Sequence, residues 1–144
     1  MKKTISIVSS LIKMMIRTAA ENKKSDKAVL AKDLPTAVKF FVQCNFPNGH
    51  IAFAEMRLTS KGTIYSVSLN NGIQMEFNEN GSWEMVDCKM GAVPTTLVPA
   101  KVQAFMDAYY FSTPIVKIAK NDNGYEVTLS NYSTLQFSKL ENVA

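Results

Sequence analysis

The stretch YSVSLNNGIQMEF at residues 65–77 returns in altered form as YEVTLSNYSTLQF at residues 125–137. In both copies apolar residues alternate with polar ones, which is the period of a strand with one buried face. A short polar segment with turn-forming residues interrupts each copy near its middle. Each copy is therefore predicted to be a hairpin of two antiparallel strands.

The length of the turn decides which residues face each other in the first hairpin. A three-residue loop at residues 70–72 pairs Val67 with Met75 and keeps the apolar side chains on one face. A two-residue loop would put the two apolar sets out of step. With three residues, Gly72 occupies the left-handed position that such a loop needs. The sequence therefore favours the three-residue loop.

The same loop length, at residues 79–81, closes the next hairpin and adds a third strand to the apolar face. This register also places two glutamates opposite each other on the polar face, which is mildly unfavourable unless solvent or a cationic partner relieves it. The expected pairs are Phe77 with Trp83, Met75 with Met85, and Glu76 with Glu84.

In the second copy, Tyr132 stands where the first copy has Gly72. A tyrosine at this position must adopt a positive φ, or the turn must change its type, and either costs free energy relative to glycine. We expect Val127 to pair with Leu135 and the turn at residues 130–132 to be irregular.

The repeat extends upstream of both hairpins. Residues 33–46 (DLPTAVKFFVQCNF) and 97–110 (LVPAKVQAFMDAYY) each place a proline before apolar residues at helical spacing, with an offset of 64 residues. Ile51 and Ile115 are related by the same offset, and each opens a strand. The repeated unit is therefore a helix followed by three or four antiparallel strands.

Two such units predict an α+β domain in which two helices pack on one face of a seven- to eight-stranded antiparallel sheet. We expect this domain at residues 33–144, with repeats at 33–88 and 97–139, after a basic arm or degenerate export signal at residues 1–32. The hydrophobic fraction of 47% is sufficient for a core of this size. The strands that open at Ile51 and Ile115 have apolar residues on both sides, so their faces are not assigned.

Positive charge is concentrated in the N-terminal arm. Residues 1–32 carry eight basic and two acidic residues, a net charge of +6, whereas the remainder has a net charge of −2. The folded part therefore lacks the positive face that phosphate binding requires. This distribution argues against a nucleic acid partner.

Residues 1–20 have the outline of an export signal, with Lys2 and Lys3 before an apolar run at residues 5–12 and small residues at 18–20. Lys13 interrupts the apolar region, so an amphipathic or disordered cytosolic arm is the alternative. No run approaches the roughly 18 apolar residues of a membrane span. We expect a periplasmic or secreted protein without a stable membrane span.

The combination of LPTAVKFF, NFP, YSVSLNNG, EFNENGSW, two VP pairs, GYEVTLSN and LQF resembles the β-lactamase-inhibitor-like, PepSY-like family of secreted bacterial proteins. The resemblance covers roughly residues 33–138. It implies a fold similar to β-lactamase inhibitor protein, and an export signal. The family has no established biochemical role, and inhibition is inferred from likeness alone. The family usually keeps a glycine where this chain has Tyr132.

No pattern of reactive residues indicates catalysis, a cofactor or a metal. His50, the sole histidine, lies in a turn without a recognisable nucleophile nearby. Residues 121–124 (NDNG) lack the acidic spacing and closing glutamate of a calcium loop. The acids Glu76, Glu79, Glu84 and Asp87 indicate a solvated face rather than paired-carboxylate chemistry.

The cysteines and the remaining large side chains have structural interpretations. Cys44 and Cys88 are not in a CxxC spacing, so either a disulfide or two buried free thiols is open. Three methionines, Met75, Met85 and Met106, are predicted to face the core. Of the consecutive aromatics at 109–111, at least one is expected to be exposed, either as a contact anchor or within a cap of packed rings.

These observations favour a non-enzymatic binding module, with an inhibitor of a peptidase or a β-lactamase as the narrower hypothesis. The alternatives are a small-ligand or glycan-binding domain that uses aromatics around Tyr110 and, least favoured, a hydrolase that uses His50 or the hairpin acids. The partner is expected to be a protein. The candidate partner-binding residues are Ser66, Ser68, Gln74, Glu76, Glu126, Thr128, Thr134, Gln136 and Tyr110.

Overall fold

A computed structural model describes residues 26–139, so the expected export signal at residues 1–20 lies outside the described part. The strands are β1 (Asp26–Ala28), β2 (Ile51–Thr59), β3 (Gly62–Leu69), β4 (Gln74–Asn78), β5 (Trp83–Asp87), β6 (Ile115–Asn121), β7 (Gly124–Leu129) and β8 (Thr134–Ser138). They form one antiparallel sheet in which every strand pairs with its neighbours in the sequence.

Two helices complete the fold: α1 (Thr36–Asn45) and α2 (Ala100–Tyr109). Each follows a short 3₁₀ turn, at Ala31–Asp33 and at Thr95–Leu97. The order is therefore α1 followed by β2 to β5, and α2 followed by β6 to β8, which confirms the expected α+β architecture and its repeated unit.

The two repeats agree in their backbone hydrogen bonds as well as in their order of elements. The residue that follows each helix donates its N–H to the carbonyl four residues earlier. The loop after each helix is tied to the sheet by an equivalent backbone hydrogen bond. The donor and acceptor pairs are Phe46 to Val42 and Tyr110 to Met106, then Asn70 to His50 and Ser130 to Pro114.

The core lies between the helices and one face of the sheet. Phe77 is fully buried at its centre, and the ring of Phe41 from α1 meets it edge to face with centroids 5.2 Å apart. Burying each large apolar side chain stabilises the fold by about 1.5–3 kcal/mol. The helices contribute Val38, Val42, Val102 and Met106 to this core.

The register expected for the first hairpin is confirmed. Val67 pairs with Met75, and the Leu69 N–H donates to the Ile73 carbonyl across the loop at 2.8 Å. Gly72 closes this loop with a φ of +94°, the left-handed conformation that glycine adopts without strain.

The register expected for β4 and β5 is only partly right. Phe77 does pair with Trp83, but a β-bulge follows in which Glu84 is the extra residue. Met75 therefore pairs with Val86, so the predicted pairing with Met85 and the predicted core position of Met85 are both wrong. Val86 is fully buried instead.

The bulge also removes the predicted contact between two glutamates. Glu76 faces Met85, not Glu84. The Glu84 carboxylate instead accepts a hydrogen bond from Asn78 Nδ2 at 3.1 Å. Val86 reaches the core by pairing with Ile118 of β6, a contact that the hairpin sequence alone does not reveal.

The turn at Tyr132 is regular, so the prediction of an irregular turn is wrong. Tyr132 adopts a φ of +70° and its N–H donates to the Leu129 carbonyl at 2.8 Å, as Gly72 does to Leu69. Its side chain is 89% exposed and projects from the hairpin tip. The tyrosine thus keeps the glycine-type loop, and the expected pairing of Val127 with Leu135 is confirmed.

The sheet begins upstream of residue 33, the predicted start of the folded domain. β1 pairs with Glu55, Met56 and Arg57 of β2 and forms one edge of the sheet. Part of the basic arm expected at residues 1–32 therefore belongs to the fold.

The cysteines are both free thiols in the described structure, with Cys44 exposed and Cys88 buried. Burial, and to a smaller extent the nearby Asp87 carboxylate, raises the pKa of Cys88 from 9.0 to about 11. Cys88 is therefore an unreactive core residue near neutral pH, because the thiolate is the nucleophile.

We expect Tyr132→Gly to raise the free energy of unfolding by about 1 kcal/mol, because glycine removes the cost of the left-handed conformation. Chemical denaturation measures the change. Gly72→Ala is the matched control: its added Cβ would meet no atom within 4 Å, so its expected loss of about 1 kcal/mol comes from the backbone conformation alone. Equal stability of Tyr132→Gly and the unchanged protein would contradict a strained turn.

The thiols should differ in reactivity. With a disulfide-exchange reagent at pH 8, we expect rapid reaction of Cys44 and reaction of Cys88 only after unfolding. Rapid reaction of both thiols in the native protein would show that Cys88 is accessible.

Since unfolding lets Cys88 ionise with its ordinary pKa, the free energy of unfolding should fall as pH rises from 9.0 towards about 11.

Candidate functional site

The face of the sheet opposite the helices is not covered by any element of residues 26–139. We call it the open face. Its side chains alternate along each strand with those of the core, as the period of a strand requires. Its central residues are Glu55, Arg57, Ser66, Ser68, Gln74, Glu76, Met85, Asp87, Lys117, Ala119, Glu126, Thr128, Thr134 and Gln136.

All eight strand residues predicted as partner-binding lie on this open face. They form four directly opposed cross-strand pairs, two on β3 and β4 and two on β7 and β8. The pairs are Ser66 with Glu76, Ser68 with Gln74, Glu126 with Gln136, and Thr128 with Thr134. The repeat therefore produces two polar strips that are separated by β5 and β6.

Other open-face residues were not predicted from the sequence. Glu55 and Arg57 come from β2, whose faces the pattern left unassigned. Met85 reaches this face through the bulge in β5 and pairs with Ala119 of β6. The exposure of one apolar residue of β5 could have been predicted from the adjacent apolar residues Met85 and Val86, because only one of two consecutive strand residues can face the core.

Arg57 organises the polar strip of β3 and β4. Its Nη2 lies 3.6 Å from Glu76 Oε2, and its Nη1 donates to Ser66 Oγ at 3.3 Å. Both charged side chains are about one third exposed. The cationic partner of Glu76 is thus supplied by the neighbouring strand β2.

A hollow of about 370 Å³ lies on the open face beside this ion pair. Its lining combines the apolar side chains of Phe53 and Met85 with the polar groups of Ser68 and Gln74. Phe53 is 52% exposed, so its ring stands at the margin of the hollow. Such a depression can accept a side chain that has an apolar body and a polar end.

Lys89 adds a second set of polar contacts at the end of β5. Its Nζ lies 3.4 Å from Asp87 Oδ2 and donates to Gln74 Oε1 at 3.2 Å. Its own backbone is left-handed, with a φ of 60°, and its N–H donates to Asp87 Oδ1 at 2.9 Å. The side chain of Gln74 is thereby held in place on the open face.

Tyr110, the ninth candidate residue, does not lie on the open face. It follows α2, is half-buried, and packs against the core beside Phe105, with ring centroids 6.1 Å apart. Its neighbours Tyr109 and Phe111 are 72% and 86% exposed. The expectation of at least one exposed aromatic is therefore met by these two neighbours.

Of the residues weighed for catalysis or for a calcium loop, His50, Glu79 and Asp122 lie in three different turns. His50 is exposed in its turn, where its backbone N–H donates to Asn70 Oδ1 at 3.1 Å. Glu79 accepts a hydrogen bond from the Thr63 N–H at 3.2 Å and so ties two hairpins together. Asp122 lies in the turn between β6 and β7 and forms an exposed ion pair with Lys61 at 3.5 Å.

Within residues 26–139, no three His, Cys, Asp or Glu side chains lie close enough together to hold a metal ion. Neither α1 nor α2, the helices of this part, is long and apolar enough to cross a membrane.

Comparison with protein families gives a match over residues 63–144 to the model described as "Putative beta-lactamase-inhibitor-like, PepSY-like". No curated protein matches the chain.

Solved structures from Bacteroides are similar over most of the chain. A "putative calcium-regulated periplasmic protein" from Bacteroides thetaiotaomicron is 32% identical, with 80% of this chain and 91% of that chain covered and a TM-score of 0.75. A "putative periplasmic protein of unknown function" from Bacteroides vulgatus is also 32% identical, covering 80% and 93%, with a TM-score of 0.77.

A further protein from Bacteroides vulgatus, described as a "putative periplasmic protein from DUF2874 family", is 31% identical, with 80% of this chain and 91% of that chain covered and a TM-score of 0.76. None of these descriptions indicates an enzymatic activity. With its repeated helix and strand units, its open antiparallel sheet and these matches, the chain belongs to the PepSY-like, β-lactamase-inhibitor-like family.

Proposed function

We propose that this chain is a non-catalytic binding module that holds a protein partner against the open face of its sheet. The observation that carries the proposal is the arrangement of eight polar side chains as four cross-strand pairs on an uncovered face. These side chains offer hydrogen-bond donors and acceptors to a partner across the sheet, and the four that are Ser or Thr lose little entropy when they are ordered. The face therefore suits recognition rather than chemistry.

The charges and the hollow support recognition of a specific partner. Arg57 and Glu76 are fixed by each other and by Ser66, so little ordering is needed when a partner binds. The hollow between Phe53 and Met85 can receive one protruding side chain of the partner. A polar surface with one such depression is typical of an interface with a polar rim and a buried anchor.

Inhibition of a peptidase or a β-lactamase is the narrower form of this proposal. A module without reactive groups inhibits an enzyme by covering its active-site cleft. The support is the family description, which names likeness to a β-lactamase inhibitor. An inhibition assay with candidate enzymes tests this form separately from binding.

The module is proposed to act in the periplasm or outside the cell. The similar Bacteroides proteins are described as periplasmic, and residues 1–20 have the outline of an export signal. Cell fractionation with an antibody to the chain, together with the N-terminal sequence of the mature protein, tests this location.

The open face can be tested by introducing arginine at exposed positions on it. Gln74→Arg and Thr134→Arg should each weaken partner retention about tenfold or more, because a long charged side chain obstructs a packed interface. The measurement is capture of exported proteins of the source cell on the immobilised chain, followed by titration of the retained protein.

Ala104→Arg is the matched control, since it adds the same charge at an exposed position of α2 on the other side of the molecule. It should retain the partner with unchanged affinity. Loss of retention in Ala104→Arg alone would place the interface on the helices, and failure of the unchanged chain to retain any protein would refute the proposal.

A small-ligand or glycan site at the end of α2 is the second candidate. The observation that favours it is a cluster of rings in which Tyr109 lies 4.8 Å from Phe105, beside a cavity of about 180 Å³ partly lined by Tyr110 and Phe111. Exposed rings can stack on sugar faces. A glycan array with Tyr109→Ala as the comparison tests it, and equal signals for both proteins would exclude the aromatic cluster.

A further inference from the structure

The internal repeat builds two equivalent clefts, each between a helix and the start of the strand that follows it. The first is lined by Lys39, Val42, His50 and Ile51. The residues 64 positions later, Gln103, Met106, Pro114 and Ile115, line the second. The duplication has therefore produced the same depression twice. Residues that differ between the two copies indicate properties that are specific to one cleft.

The two clefts differ in charge. Lys32, Lys39 and His50 line the first, and no acidic residue does. The second has Asp107 and Gln103, with no basic residue in its lining. The apolar positions are alike in the two clefts, because Val42 and Ile51 of the first correspond to Met106 and Ile115 of the second. The same packing is therefore formed in the second cleft without basic residues, so packing does not explain their presence in the first. The first cleft, of about 470 Å³, suits an anionic group.

Within this cleft, a local contact holds the Lys39 side chain against the backbone of Lys32. Lys39 Nζ donates to the Lys32 carbonyl at 3.0 Å, which uses one of its three N–H donors. Lys32 Nζ lies 3.4 Å from Asp33 Oδ1 in an exposed pair, so solvent screens that attraction. Among residues 26–139, the imidazole of His50 has no hydrogen-bond or ionic partner, and its backbone N–H is fixed by Asn70 Oδ1.

An apolar depression of about 260 Å³ adjoins this basic cleft and shares Ala31 and Ile51 with it. It lies between residues 28–31 and residues 51–54. β1 pairs only with residues 55–57 of β2, and beyond them the Val29 N–H donates to the Ala54 carbonyl at 2.9 Å. Among residues 26–139, no strand therefore pairs with residues 51–53 on that side of β2.

The strand direction defines how an extended segment would lie along this edge. An antiparallel segment beside residues 51–53 would run from Phe53 towards Ile51, in the direction in which β1 runs beside residues 55–57. Its C-terminal end would reach the basic cleft at His50, and its side chains would enter the apolar depression. An N-terminal amine would be repelled there by Lys32 and Lys39.

We propose that this groove binds the C-terminal end of an extended peptide, by addition of a strand to the free edge of β2 and capture of the terminal carboxylate by Lys32, Lys39 and His50. Backbone hydrogen bonds to the edge supply affinity, and the apolar depression selects a final residue with an apolar side chain. The groove shares Phe53 with the hollow on the open face but none of its charged groups. The proposal therefore stands independently of partner binding at the open face.

The test uses the full chain labelled with ¹⁵N and an N-acetylated tetrapeptide that ends in valine and leucine. We expect the peptide with a free carboxylate to shift the amide resonances of residues 49–54, and its C-terminal amide to bind at least about tenfold more weakly. Lys32→Gln combined with Lys39→Gln should weaken the free acid by about tenfold. Lys101→Gln, at an exposed position of α2, should leave binding unchanged.

Three results would overturn the proposal: no shift at residues 49–54, equal binding of the acid and the amide, or full binding by the doubly substituted chain. Hexanoate supplies the same carboxylate and an apolar tail without a peptide backbone. Binding of hexanoate as tight as that of the peptide would overturn the strand addition, whereas much weaker binding supports it. A thermal melt of each variant confirms that the fold is retained.

Discussion

The burial of Phe77 is the constraint on which the rest of the structure depends. Its ring lies under Phe41 of α1 and between Tyr65 and Trp83 on the neighbouring strands. A slip of one residue in β4 would turn Phe77 outward and bring Glu76 into the core, at a cost of several kcal/mol. The same contact therefore fixes the helix on the sheet and determines which side chains form the open face.

Much of this arrangement is readable from the sequence because local turn chemistry determines it. The loop ending at Gly72 specifies the register of β3 and β4 without knowledge of any other strand. The bulge at Glu84 is different, since Met85 and Val86 are both apolar and either can face the core. Ile118 decides between them by pairing with Val86, and that contact connects the two repeats.

The candidate sites were likewise predictable where neighbouring residues in the sequence determine them, and not where contacts between distant segments do. Alternation in β3, β4, β7 and β8 was sufficient to find eight residues of the open face. Arg57 was missed because β2 has apolar side chains on both faces. The basic cleft was missed because Lys32, Lys39 and His50 come from three separate segments. Only the packing of α1 beside the start of β2 brings these segments together.

The order of the strands has a consequence for the rate of folding. Because every strand pairs with a neighbour in sequence, the five hairpin steps of sheet assembly each close a short loop and lose little chain entropy. Low contact order of this kind is associated with rapid folding even in proteins rich in β-structure. The connection between β5 and β6 is the longest in the sheet, and that between β1 and β2 is the next longest, so each hairpin unit can form before the two halves join. Joining the two halves closes the longest loop of the sheet, so loop entropy opposes this step more than any of the hairpin steps.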